Sequence, residues 1–291
     1  MEKKIKILVL GVTGMLGNAV FRLFSEDSNY EVTGSARSTN ICKFFPQDLS
    51  KRVICDVNVD NIDDLIALFE RSQPDVVINC IGLVKQIVEA EDPLKAIPIN
   101  SLLPHRLAGL SKLVGARLVH LSTDCIFSGD KGMYTELDES DARDLYGRSK
   151  YLGEVSTSNS ITLRTSIIGH ELSGARSLVD WFLAQEGHVK GYRRDIFSGI
   201  PTVEVARVIR DFVIPFPQLT GVYHLSVDPI DKFTLLNLIA KVYRKSINII
   251  PDDSLIINRS LDSNRFRLAT GFSPKSWKQL ITEMYKFNQY H

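Results

Sequence analysis

Tyr146 and Lys150 stand four residues apart in the stretch YGRSKYLGE, and upstream the chain reads LSTD from Leu121 to Asp124. On a helix, residues at this spacing project from the same face. The pairing sets an ammonium beside a phenol. A nearby positive charge favours phenolate and draws the tyrosine pKa down from about 10. The phenol then serves as a proton donor or acceptor near neutral pH. Thr123 adds a hydroxyl aimed at the same oxygen. Thr123, Tyr146 and Lys150 are thus the candidate catalytic groups for adding or removing a hydride at a carbonyl. A Tyr-x-x-x-Lys pair also arises as an exposed tyrosine beside a solvated lysine, so the elements around it must decide.

Those elements alternate. IKILVLG, from Ile5 to Gly11, is continuously apolar, as a strand covered on both faces should be. A helix is expected from Met15 to about Ser25. YEVTGSAR closes a second strand near Arg37, and RVICDV reads as a third. NIDDLIALFERS reads as an amphipathic helix with Ile62, Leu65, Ile66 and Phe69 on one side. DVVINCIG is a fourth buried strand, NSLLPHRLAGLSKLVG a helix with Pro104 in its first turn or at a kink, and ARLVHLSTD a fifth strand. The tyrosine helix follows, then SITLRTSIIG as a sixth strand. This order predicts an α/β fold, a Rossmann-type doubly wound parallel sheet with right-handed crossovers. Ligands of such sheets bind beyond the carboxyl ends of the strands. Residues 1–170 are read as the Rossmann domain, the nucleotide-binding part that carries the catalytic groups. Residues 171–291, where helices dominate and GVYHLS is a short strand, are read as mainly a smaller substrate-binding lobe, with some segments returning to the first domain.

Gly11, Gly14 and Gly17 fall between the first strand and the first helix. One glycine permits the tight turn, another lets backbone N–H groups approach a pyrophosphate, and the last allows close helix–strand packing. The helix amino terminus then offers donors and the positive end of its dipole. The spacing is G-x-x-G-x-x-G, and Thr13, Met15 and Leu16 complete the expected phosphate loop. At the end of the second strand an acid would favour NAD, whereas an arginine accommodates a 2′-phosphate. Arg37 stands there between serines, which favours NADPH, with NADH as the alternative. Asp56, with Val57 after it, is placed to meet the adenine amino group.

Composition excludes other classes. The 291 residues are 44% hydrophobic and 24% charged, an ordinary globular composition. Lys plus Arg number 35 and Asp plus Glu 34, so the net charge of +1 gives no surface for nucleic acid. No apolar stretch is long enough to span a membrane. The start, MEKKIKILVLG, reads as a buried strand rather than a secretory leader, because its apolar run is short and glycine punctuation follows at once. Cys42, Cys55, Cys80 and Cys125 form no C-x-x-C pair, so no zinc site is expected and reduced thiols in the cytoplasm are the default.

GVTGMLG, NCIG, LSTDCIFSG and YGRSKYLGE, in this order, resemble an extended short-chain dehydrogenase/reductase. LSTDCIFSGDKGMYTELD, LRTSIIG, SGIPTVEVARVI and NRSLDSNRFRLATGFSPKSWKQLI narrow the resemblance to dTDP-4-dehydrorhamnose reductases and related nucleotide-sugar 4-ketoreductases. The resemblance implies that Tyr146 is the general acid, that Lys150 also holds the nicotinamide ribose, and that Thr123 binds the substrate oxygen. It places Cys80, Ile81, Gly82 and Asn100 along the cofactor. It places Asp124, Ile200, Pro201 and Arg259 near the nucleotide-sugar, with Arg259 toward the diphosphate. Two departures stand out. CIGLVKQ brings Cys80 and Lys85 near the expected sugar site, and Cys125 replaces the tyrosine usual after Ser-Thr-Asp. The sugar therefore need not be 4-keto-rhamnose.

Relatives on this scaffold perform several reactions. A 4,6-dehydratase resembles Ser-Thr-Asp-Glu at this point, and a thiol at position 125 is a poor substitute for that acid. A 4-epimerase has a different motif after the fifth strand. A reductase needs only hydride delivery and one proton. The implied activity is therefore NADPH-dependent reduction of a keto group, at C4, of a nucleotide-linked 6-deoxy sugar for cell-surface polysaccharide. The alternatives are a nucleotide-sugar epimerase, or a non-catalytic NADP-binding regulatory subunit like that of some methionine adenosyltransferases. A monomer or homodimer is expected. Some relatives hold a metal at a dimer contact, but no ligand cluster commits this chain to one.

Overall fold

The computed structural model describes residues 3–84 and 88–290. Seven strands form one parallel sheet: β1 (Ile5–Leu10), β2 (Tyr30–Ser35), β3 (Val53–Ile54), β4 (Val76–Asn79), β5 (Arg117–Thr123), β6 (Ser160–Thr165) and β7 (Gly221–His224). Their order is β7-β6-β5-β4-β1-β2-β3, with every neighbouring pair parallel. The order reverses between β1 and β4, which opens a crevice at their carboxyl ends. The Rossmann-type sheet expected from the alternating pattern is thus present. GVYHLS, met late in the chain, returns to the sheet as β7 beside β6.

Alternation along β1 shows how the sheet is covered. Ile7 and Val9 join a core with α1 (Met15–Ser25). Leu8 and Leu10 join a second core with α2 (Ile62–Ser72) and α3 (Leu103–Val114). All four are buried, as a strand with helices on both faces requires. The buried side of α2 differs from the expected one. It consists of Leu65, Leu68 and Phe69, while Ile62 and Ile66 are 43% and 50% exposed. The stripe is centred further round the helix, so the two isoleucines lie on its flank.

Pro104 does lie in the first turn of α3, and Gly115, at φ +73°, ends the helix. A π-helical turn, Ile97–Leu102, precedes it. Helix α4 (Leu145–Leu152), which carries Tyr146 and Lys150, starts at Asp144, whose carboxylate accepts from Gly147 N at 2.8 Å.

After β6 the chain builds small sheets. Ile167–Ile168 pairs with Ile200–Pro201, and His188–Tyr192 with Asn248–Asp252. Asp195–Phe197 lies between Ile230–Asp231 and Ile257–Asn258. The helices here are α5 (Leu178–Ala184), α6 (Thr202–Val208), α7 (Lys232–Tyr243), α8 (Asn264–Thr270) and α9 (Trp277–Tyr290). A third core, with Val179, Phe182, Phe197, Leu235 and Ile239, holds α5, α7 and the strand at 195–197 together. α6 instead packs on α1 and belongs to the main core.

Candidate active site

The glycine loop joins β1 to α1. Gly11 has φ +79°, where a side chain would be strained. At Gly17 a Cβ would stand 2.0 Å from Gly11 O, so only glycine lets the helix approach the strand end this closely. Thr13 and Gly14 are exposed, Met15 is half-buried and Leu16 buried. The first turn of α1 carries no acidic residue. Its amino end therefore offers N–H donors to an anion without a competing carboxylate. A dinucleotide pyrophosphate fits this cradle.

At the adenosine end the structure is open. β2 stops at Ser35, and Arg37 is exposed just beyond it. Asp56, exposed with φ +60°, turns the chain after β3, and Val57 N donates back to Ala36 O at 3.1 Å.

The other end is tightly held. Asn79, at the end of β4, is fully buried. Its Oδ1 accepts from Ile81 N at 3.0 Å and its Nδ2 donates to His120 Nδ1 at 3.1 Å. This fixes the Cys80–Gly82 turn above β4. Asn100, supplied by the π-helical turn, holds the next residue: Leu83 N donates to its Oδ1 at 2.9 Å. Its Nδ2 donates to Ser149 Oγ of α4 at 3.1 Å. A Cβ built on Gly82 would lie 3.5 Å from both Asn100 Oδ1 and Lys150 Nζ. The turn, the π-helical residue and the lysine therefore meet at one point. Burial pushes the Cys80 thiol up to about 12, so it is no nucleophile at neutral pH.

Lys150 is 6% exposed and its Nζ donates to Leu121 O at 2.8 Å. Burial brings its pKa down to about 8, opposed chiefly by the charge of Glu154. Glu154 is itself paired with Arg164 Nη2 at 2.7 Å and accepts from Ser122 Oγ at 2.7 Å. The Thr123 hydroxyl acts on the Tyr146 phenol, pulling its pKa down. Thr123 Oγ1 also donates to Asp124 Oδ1 at 3.2 Å and accepts from Cys125 N at 3.1 Å. The three candidate catalytic residues are therefore brought together.

One expectation is corrected. Lys150 does not draw the Tyr146 pKa down in this structure. Burial raises it, joined by the influence of Cys125, and then of Asp124 and Asp144, against the lowering from the Thr123 hydroxyl. The ammonium donates instead to the Leu121 carbonyl. A phenol held neutral in this way is a proton donor rather than a base.

Among the substrate candidates, Asp124 is 7% exposed, and burial raises its carboxyl against the pull of Arg259 and Lys232. Arg259 Nε donates to Phe127 O at 2.8 Å. With Cys125 and Asp144 it borders a cavity of about 120 Å³. Ile200 and Pro201 are buried and pair with Ile167 and Ile168. Lys85 lies outside the described residues. Two charged residues beside this group escaped the sequence pattern. Lys232, at the start of α7, stacks its Nζ 4.2 Å from the Phe197 ring centroid and acts on Asp195, Asp124 and Cys125. Asp195 is likewise raised by burial and opposed by Lys232 and Arg259. Only the fold brings them to Asp124, so no local spacing could have marked them. Among the described residues no group of His, Cys, Asp and Glu is arranged to hold a metal, and no helix is long and apolar enough to cross a membrane.

A Rossmann-type sheet with a glycine loop at one end of its crevice and a Thr–Tyr–Lys group at the other defines the dinucleotide-binding class. Residues 5–289 match the family described as RmlD substrate binding domain, and the chain belongs to that family. It is similar to the spore coat polysaccharide biosynthesis protein SpsK of Bacillus subtilis (strain 168), 30% identical over 230 residues, covering 76% of this chain and 73% of that one. The β subunit of methionine adenosyltransferase 2 of Rattus norvegicus is also 30% identical, over 149 residues, but the match covers 51% of this chain and 41% of that protein. Among solved structures, dTDP-4-dehydrorhamnose reductase from Bacillus anthracis str. Ames in complex with NADP superimposes with a TM-score of 0.80 at 21% identity, covering 98% of this chain and all of that one. This last likeness is one of fold.

Proposed function

We propose that this chain is an NADPH-dependent oxidoreductase that reduces the C4 keto group of a nucleotide-linked 6-deoxy sugar in cytoplasmic supply of cell-surface polysaccharide. The carrying observation is that Tyr146 lies one turn from Lys150 on α4, while the buried Lys150 Nζ donates to Leu121 O, two residues before Thr123 on β5. The NADP complex of the reductase from Bacillus anthracis and the polysaccharide role in the SpsK name support the reading.

The cofactor, when bound, supplies the hydride. Gly11, Gly14 and Gly17 would let the backbone of Thr13–Leu16 hold its pyrophosphate, and Arg37 would meet a 2′-phosphate. Cys80–Gly82, held by Asn79 and Asn100, would hold the nicotinamide half. Residues 171–291 contribute the sugar-nucleotide side, with Pro201 and Arg259 facing it. Thr123 holds the substrate oxygen. Tyr146 passes its hydroxyl proton to that oxygen as negative charge develops there. Lys150 holds the nicotinamide ribose, and solvent returns the proton to Tyr146. Such general acid catalysis contributes about 10²–10⁴-fold, and correct placement of the reacting atoms contributes more. Cys125 leaves position 125 without the carboxylic acid that a dehydratase needs.

Partial similarity to a methionine adenosyltransferase β subunit raises a purely binding role. The two readings separate when purified protein is given NADPH and a dTDP- or UDP-4-keto-6-deoxy sugar. Stoichiometric NADPH consumption supports the reductase. No consumption with either sugar, together with a co-purifying partner protein, would overturn it.

A further inference from the structure

Lys232 stands at the first position of α7, which Asp231 caps by accepting from Thr234 N at 2.8 Å. A cation there opposes the positive end of the helix dipole. It is also half-buried, and burial lowers its pKa against the pull of Asp195 and then of Asp124. The Phe197 ring holds Nζ 4.2 Å from its centroid, which fixes the ammonium but leaves its three N–H donors open. Among the described residues Nζ makes no hydrogen bond or ion pair. Asp195 is in the same condition. It is half-buried, burial raises its pKa, and its carboxylate accepts from no described residue. A lysine and an aspartate partly desolvated near each other, yet not joined, cost stability that folding does not return. Such placement is characteristic of groups kept for a ligand.

The fold brings both groups to the loop that follows β5. Asp195 pairs in register with Ile257, and Ile196 lies between Asp231 and Asn258. The segment 257–259 is docked in turn on that loop: Asn258 N donates to Gly129 O at 2.7 Å, and Arg259 Nε to Phe127 O at 2.8 Å. A Cβ on Gly129 would come within 2.7 Å of Ile257 Cγ2, so the approach is close. Asp124, next to Thr123, acts on Tyr146 as well as on Lys232. The cluster therefore holds two cations, Lys232 and Arg259, and two carboxylates, Asp124 and Asp195. With no net charge it favours neither an anion nor a cation. An open donor near an open acceptor suits a neutral group that both accepts and donates, as a hydroxyl does. We propose that Lys232 and Asp195 determine specificity for the sugar, Lys232 Nζ donating to a ring hydroxyl and Asp195 accepting from that hydroxyl or its neighbour. This rests on the nucleotide-sugar reading of the site and adds that the sugar is a neutral, hydroxylated one.

The test is isothermal titration calorimetry on the protein saturated with NADPH. UDP and dTDP are the probes without a sugar, and UDP-glucose and dTDP-glucose the probes with one. None carries a keto group, so no turnover disturbs the measurement. The glucose-bearing probe of the preferred base should bind more tightly than its nucleoside diphosphate. Lys232→Met should weaken that probe about tenfold and Asp195→Asn about threefold, while the nucleoside diphosphate binds as before. Lys232→Arg, which keeps a charged donor, should recover part of the loss. NADPH titration by fluorescence shows that each variant is folded. In a variant that binds NADPH normally, equal weakening of both kinds of probe would place the ammonium on the diphosphate and overturn the proposal. Unchanged affinity for the glucose-bearing probe in either variant, or no gain from the sugar in the parent protein, overturns it too. The NADPH-consumption test is independent of these results, so the proposal can fail while the reductase reading stands. A parent protein that binds none of the four probes and consumes no NADPH fails both.

Discussion

The two ends of the cofactor crevice are built to different standards. Around Lys150, the groups that hold the site are buried and cross-linked: Asn79 to His120, Asn100 to Leu83 and Ser149, Glu154 to Arg164. Around Arg37 and Asp56 the chain is exposed. Proton and hydride transfer need atoms fixed within fractions of an ångström, whereas a 2′-phosphate is recognised by charge at longer range. Rigidity is concentrated where chemistry demands position and is absent where charge is sufficient.

Substitutions can break or sharpen this contrast. Tyr146→Phe should lower kcat by about 10²–10⁴-fold while the NADPH Kd measured by fluorescence titration hardly moves. Full turnover in that variant would remove the phenol from the mechanism. Asn100→Ala should lower kcat by about 10²-fold, because it releases Leu83 from Ser149, and should cost about 1–3 kcal/mol in urea unfolding. An unchanged variant would show that the wall at Gly82 holds without the clamp.

Lys150 gives a pH signature. Its pKa is about 8 in the fold against about 10.5 in the unfolded chain. Between these values the unfolded state binds the extra proton, so raising the pH favours the folded state. Relative to Lys150→Met, the protein should gain about 1 kcal/mol per pH unit from pH 8 to 10. Parallel stability profiles of the two proteins would mean that the ammonium is not buried at a cost. At the open end, Arg37→Ala should raise the NADPH Kd about tenfold, leave the NADH Kd unchanged and leave Tm unaltered. Asp56→Ala should have the smallest effect, a change of about threefold in the affinity for both cofactors.

The same contrast explains what could be read from the chain. The glycine loop, the alternation of strands and helices and the Tyr146/Lys150 helix are local patterns, and periodicity and spacing carry them. The limits of α1, expected at Met15 and about Ser25, are those observed. Where the outcome depends on what surrounds a residue, the pattern misled. Ile62 and Ile66 have the spacing of a buried face, but α2 rests on the sheet through Leu68 instead. The Tyr146–Lys150 spacing suggests an ammonium acting on a phenol, yet Leu121 O takes that ammonium and burial governs the phenol. Lys232 and Asp195 lie in segments with no motif and reach Asp124 only through the packing of the elements after β6.

The π-helical turn at Ile97–Leu102 has a consequence for how this protein can change. A π-helical turn accommodates one residue more than an α-turn, and each α-helical residue advances the chain by about 100°. Deleting a single residue there would let the segment heal into regular helix. Asn100 would then be rotated away from Leu83 and Ser149 while the sheet stayed intact. The register of one surplus residue thus sets whether Asn100 reaches Leu83 and Ser149 at all.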